Sequence, residues 1–283
     1  MKTNETLSRA GQPVAVNYSD FTSALKGWRQ IRKMSQLDLS LDAEVSQRHI
    51  SWLETGRSKP SRDMIIRLSE SLSIPNRDRN RLLNSAGFTA IYAQNELGEP
   101  TMKIVDQVLT KMLDNHNPYP AIVMDRLWNL KMKNQAADRM FMLLGNLQQV
   151  LTEIGDDGSF NIARLSVHPK GLRRFISNWD EIVLPFFTRL KREAEESFDP
   201  TVIAHVESLL PFIEQNPQES SANYYDATLT PILPLHYQIG DQSLRLVSVL
   251  STFGSAQDVT TNELRIETFY PADDETAAYF KYS

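Results

Sequence analysis

Apolar residues recur at helical spacing through the first third of the chain. Phe21, Ala24, Leu25, Trp28 and Ile31 follow the i, i+3, i+4, i+7 rule behind Ser19 and Asp20, which predicts a first helix. Ser35 opens a second, whose inward side is Leu37 or Leu39 with Ser40 and Ala43; Ser46 opens a third with Ile50 and Leu53 inward, ended by Gly56. Pro60 and Ser61 begin a fourth around Met64, Ile65, Leu68 and Leu72, stopped by Pro75. A fifth runs from about Asn76 to Ala86 over Leu82 and Leu83, with Gly87 behind it. Helices two and three meet at a tight turn, so residues 36–59 have the outline of a helix-turn-helix. Glu44 falls at that turn; a left-handed backbone there would cost it about 1 kcal/mol relative to glycine, so the turn is either reshaped or strained.

After a polar linker over 92–101, containing Gly98 and Pro100, the period changes. A connecting helix places Met102, Val105, Leu109 and Met112 on one side. Ala121–Met124 and residues 127–132 read as two short strands around a turn at Asp125 and Arg126, and Asn134 caps a helix through Phe141. Residues 146–166 are less regular, with a loop from Gly155 to Gly158. Trp179, Ile182, Val183, Phe186, Phe187 and Leu190 stripe a long helix bent at Pro185, and a further helix spans about 200–215. Strands follow over 232–239, 244–253 and 263–269, the first two joined by a hairpin turn at Gly240 and Asp241. The fold class is therefore α+β: a five-helix amino-terminal domain and a carboxy-terminal domain with a five-stranded antiparallel sheet and flanking helices.

Charge separates the two parts. Residues 1–92 carry 14 Lys and Arg against 9 Asp and Glu, a net of +5; residues 93–283 carry 16 against 26, a net of −10. A cationic front on an acidic remainder suits a DNA reader fused to a module that does not touch DNA. The outward face of the third helix holds Gln47, Arg48, His49 and Trp52, which with Ser46 at its start are candidates for contact with DNA. In a major groove Gln suits adenine and Arg suits guanine, so Gln47 and Arg48 are candidates for base readout, and Trp52 for a thymine methyl or sugar face. Gln36, Arg57 and Lys59 are candidates for phosphate contact. His49 could do either.

The pattern of Gln36, Ser40, Glu44, Ile50 and Leu53 resembles the DNA-binding domain of the phage repressor and Cro type, the XRE family. RHISWLETGRSKPSR and RNRLLNSAGF narrow the resemblance to MmyB-like transcription regulators, in which such a domain is joined to a PAS-like ligand-binding domain. DRLWN followed by NQAA, and His168, Pro169, Gly171, Leu172, Asn178 and Trp179, resemble that domain's signature blocks. The resemblance covers about residues 20–272. It implies double-stranded DNA as a partner, a homodimer, and an apolar pocket holding a fatty-acid-like molecule. The corresponding organisation is a flexible arm over 1–18, a DNA-binding domain over 19–91, a linker and connecting helix over 92–114, a PAS-like domain over 115–272 and a tail over 273–283. In the arm, a DNA contact from Arg9 is the alternative to a disordered tail.

Six of nine methionines fall at 102, 112, 124, 132, 140 and 142, and flexible, polarizable side chains suit an adaptable pocket as well as an ordinary core. Met124, Trp128, Met132, Phe141, Phe175 and Trp179 are the candidate ligand-binding residues, with His168, Arg173 and Asn178 for a polar end. There are no cysteines, and the five histidines have no ligand spacing on one helix, so no metal site is expected. A Gly-rich phosphate loop, a GxSxG elbow and a haem or flavin signature are also missing, so the chain reads as a non-enzyme that requires no cofactor. Without an apolar run near 18 residues, it is expected to be cytoplasmic, with no membrane partner. The reading is a transcription regulator whose second domain senses an apolar small molecule. The alternative is an antitoxin-like or sigma-associated interaction protein with a ligand-free dimerisation module.

Overall fold

The computed structural model describes residues 16–155, 158–213, 232 and 234–282. They form two compact units. The first runs to Gln94 and takes in Ala194–Ile203 and Gln257–Asn262; the second holds Asn95–Glu193, Ala204–Ala256 and the chain from Glu263.

In the first unit the five expected helices form: α1 (Phe21–Ile31), α2 (Gln36–Asp42), α3 (Gln47–Glu54), α4 (Arg62–Ser71) and α5 (Asn76–Ser85). Asp20, Ser35, Ser46 and Ser61 cap the first four through side-chain oxygens, and Ser35 with Asp38 makes a full capping box. Their apolar stripes converge on Leu25, Trp28, Leu39, Ile50, Leu53 and Leu68, all fully buried. Of the alternatives in α2, Leu39 is the core residue and Leu37 is half exposed. Residues 1–15, including Arg9, lie outside the described residues, but Val16 and Tyr18 pack on this core, so the first unit begins before Ser19.

Glu44 is left-handed, with φ 52°. Its amide bonds Leu41 O and that of Val45 bonds Ser40 O, the double bond of a Schellman cap. Lys33 and Ser73 end α1 and α4 in the same way, with φ 54° and 48°. Each is followed by an apolar residue, Met34, Val45 or Ile74, packed on the core. That anchor and the two capping bonds hold a backbone that glycine would adopt more easily. The turn therefore keeps its shape without glycine.

Along the rest of the chain come α6 (Lys103–His116), β1 (Ala121–Met124), β2 (Leu130–Lys133), α7 (Gln135–Met142), α8 (Leu147–Glu153), α9 (Ile162–Val167), α10 (Trp179–Ser197), α11 (Pro200–Glu207) and α12 (Leu210–Ile213). Then follow β3 (Leu235–Ile239), β4 (Gln242–Ser251), α13 (Val259–Glu263), β5 (Arg265–Pro271) and α14 (Asp274–Tyr282). The sheet order is β2-β1-β5-β4-β3, with every neighbouring pair antiparallel. Side chains alternate across it. Ala121, Val123, Leu264 and Ile266 pack with Leu109 and Leu113 of α6, whereas Ile122, Glu267 and Phe269 look into a cavity. Because both faces are covered, β1 is buried at all four residues.

Several boundaries differ from the pattern-based expectation. β2 begins at Leu130 because Asp125 accepts bonds from the amides of Leu127 (2.9 Å) and Asn129 (3.0 Å), extending the turn. The third predicted strand starts at Leu235, position 233 lying outside the described residues. Glu263 closes α13, so the last strand starts at Arg265 and ends at Pro271. Met112 is exposed and Leu113 takes the inward place on α6. The irregular 146–166 stretch contains α8 and part of α9, and the sequence-level tail contains α14. The helix expected over 200–215 divides into α11 and α12, positions 214 and 215 lying outside the described residues. Among the described residues no helix is long and apolar enough to cross a membrane.

Candidate functional site

α3 presents its polar side while Ile50 and Leu53 are buried. Gln47 and Arg48 are exposed, and His49 and Trp52 are half-buried. The Arg48 guanidinium lies 4.5 Å from the centre of the Trp52 ring, a stacking that holds a flexible side chain on the helix surface. Ser46 is the cap of α3: its hydroxyl accepts the His49 amide, at 3.2 Å, which fixes the helix start. Gln36 donates to Glu54 at 2.8 Å, and Glu54 also holds Arg29 at 2.6 Å, so Gln36 ties α2 to the end of α3. Arg57 and Lys59 are exposed just beyond α3.

The second unit contains a cavity of about 260 Å³. Close-packed interiors leave few voids larger than a water, so this is a built space rather than a packing defect. Its walls are Ile122, Phe141, Trp179, Ile182, Phe186 and other apolar groups, with Ser166, Arg189, Tyr237, Ser248 and Glu267 as polar groups. Trp128 reaches it from a left-handed backbone, φ 67°, which costs about 1–2 kcal/mol in a bulky residue. The turn made by Asp125 holds it there: the Trp128 amide donates to Asp125 O at 3.0 Å and its carbonyl accepts from Ile162 N at 2.8 Å. That is the physical content of the DRLWN run. Gly171 has a similar reason, since an added Cβ would sit 2.0 Å from the Leu165 carbonyl oxygen.

Of the predicted ligand residues, Trp128, Phe141 and Trp179 line the cavity. The others do not, each for a visible reason. Met124 is buried beside an irregularity in the β1 pairing, and Met132 packs in the core on the α6 side. His168 meets the Phe212 ring edge-on at 4.6 Å, and burial, then nearby cations, lower its pKa. Arg173 donates to Phe212 O at 2.7 Å and lies over Trp179. Phe175 carries the Arg174 guanidinium on its ring. Asn178 donates to Pro234 O and accepts from the His236 amide, both at 2.9 Å, fixing the entry to β3. Among the clustered methionines, Met140 lines the cavity and Met142 is exposed.

The polar end was missed at the level of sequence, although a signal was there. Arg189 sits three residues after Phe186 on the apolar stripe of α10, and Glu267 shares a strand face with Phe269. An ionisable residue where the period calls for an apolar one marks a site or a buried ion pair. Burial pushes the Glu267 pKa up, with Arg189 and a Ser248 hydrogen bond acting against it.

A family model described as the MmyB-like transcription regulator ligand binding domain matches residues 105–281, and a helix-turn-helix model matches residues 25–75. No curated protein matches the chain. The first match spans well over half the sequence and includes every cavity-lining residue; the second includes α2, the Glu44 turn and α3. The chain belongs to the MmyB-like transcription regulators, a DNA-binding helix-turn-helix joined to that family's ligand-binding domain.

Proposed function

We propose that this regulator reads a specific DNA sequence with α3 and senses a fatty-acid-like molecule in the cavity of its second unit, which has PAS-like character. The observation that supports the sensing half is the 260 Å³ space itself, apolar along its walls and polar at Arg189 and Glu267. Such a shape suits an acyl chain with a polar head. Ligand binding changes the relative stability of two packings of the sensor, and two copies on two half-sites convert that change into a different spacing of their recognition helices. Extracting the purified protein with organic solvent and analysing the extract by mass spectrometry should yield a lipid-like molecule at near-stoichiometric amount. Protein that neither carries such a molecule nor takes up an added fatty acid refutes the reading.

In the DNA-reading half, Gln47 and Arg48 meet base edges, while Arg57 and Lys59 meet phosphates. Arg48→Ala should weaken binding to the fragment that the parent selects from genomic DNA by about 10- to 100-fold, the worth of one good base contact. Its binding to random DNA should fall much less, and its thermal unfolding should be unchanged because the side chain is exposed. Fluorescence anisotropy titrations on both DNAs measure this. Equal affinity of variant and parent for the selected fragment would remove Arg48 from base readout.

A further inference from the structure

Arg189 keeps 28% of its side chain exposed while its Nε is buried. Its guanidinium stacks 5.1 Å from the Trp128 ring and 5.4 Å from the Phe186 ring, and it lines the cavity. Its nearest anionic partner, Glu193, stands 3.7 Å from Nε, beyond hydrogen-bonding distance, and that buried Nε has no hydrogen-bond partner among the described residues. Glu193 in turn faces Arg265 at 3.3 Å, and Arg265 lies over the same Trp128 ring at 5.3 Å. Two guanidinium groups thus share one indole and one loosely held carboxylate. A buried donor left unsatisfied is costly unless something else meets it.

We propose that Arg189 receives a carboxylate at the head of the bound ligand, with Ser248 and Glu267 beside it and the acyl chain running along the apolar walls. This assignment rests on the fatty-acid-like reading above and names its polar contact. A guanidinium is the natural receptor, because its planar fork meets both carboxylate oxygens and the aromatic faces hold it in place. Glu267 is buried beside it, and burial pushes its pKa up, toward the neutral acid that can donate a hydrogen bond to a carboxylate.

The test compares dodecanoic acid with methyl dodecanoate and dodecanol, which keep the chain and lose the charge, by titration calorimetry on the full-length protein. The parent should bind the acid about tenfold or more tighter than the ester or the alcohol. Arg189→Met should abolish that preference while holding the alcohol within about threefold, and Arg189→Gln, which keeps a polar side chain against Trp128, carries the same expectation. A parent that binds acid and ester equally overturns the assignment whether or not either variant folds. So does a folded variant that keeps the preference; in both cases the apolar-ligand reading survives. If the parent binds none of the three, that reading fails and the assignment fails with it.

Discussion

Asn134→Ala is expected to lower the stability of the second unit by about 3–5 kcal/mol. The buried Asn134 side chain uses all four of its hydrogen-bonding positions. Its oxygen accepts from the amides of Ala121 (3.0 Å) and Ala137 (2.9 Å), and its nitrogen donates to the carbonyls of Leu113 (3.2 Å) and Tyr119 (2.7 Å). One amide group therefore joins the end of α6, the start of β1 and the cap of α7. Alanine leaves four backbone groups without partners in an interior site, each worth about 1 kcal/mol or more. Asn134→Asp keeps the acceptor but turns an anion on the two carbonyls, so it should be nearly as damaging. Calorimetry that resolves the two units' transitions, with DNA affinity as the control for the first unit, measures the effect. A loss below about 1 kcal/mol would show that the interior re-satisfies those groups.

Trp28→Ala should remove about 3–5 kcal/mol from the first unit and abolish DNA binding at 37 °C. The ring is fully buried, with Phe198 edge-on at 5.3 Å and the Arg32 guanidinium over it, also at 5.3 Å. Its Nε1 donates to the Tyr18 hydroxyl at 2.9 Å, which donates to the buried Asp78 at 2.9 Å. Truncation opens a cavity and breaks that chain, in a unit small enough for the loss to be most of its stability. Trp28→Phe fills part of the space and should recover about half the loss. Circular dichroism and anisotropy together test this; a folded Trp28→Ala protein with parental DNA affinity would contradict it.

The first unit was legible residue by residue because its signals are local. Capping serines stand beside the helices they start, and apolar residues three and four apart share a face whatever the rest of the chain does. Even Glu44, which departs from the usual glycine, sits where the spacing put the turn. Its tolerance was not legible. The Val45 anchor that holds it depends on a core assembled from five helices.

In the second unit the sequence by itself determined α6, α7, α10, the five strands to within a few residues and the motif residues that support the cavity. The Asp125 turn within DRLWN and the cap that Asn134 gives the helix it precedes can both be read from neighbours in the chain. Only the tertiary structure decided which groups enter the cavity. His168, Arg173 and Asn178 lie within a signature block yet satisfy Phe212, Trp179 and the entry to β3, whereas Arg189, Ser248 and Glu267 come from α10, β4 and β5. Local order depends on residues a few positions apart. A cavity wall depends on strand register and helix placement, which bring together side chains tens of residues distant, and no short-range pattern encodes that meeting.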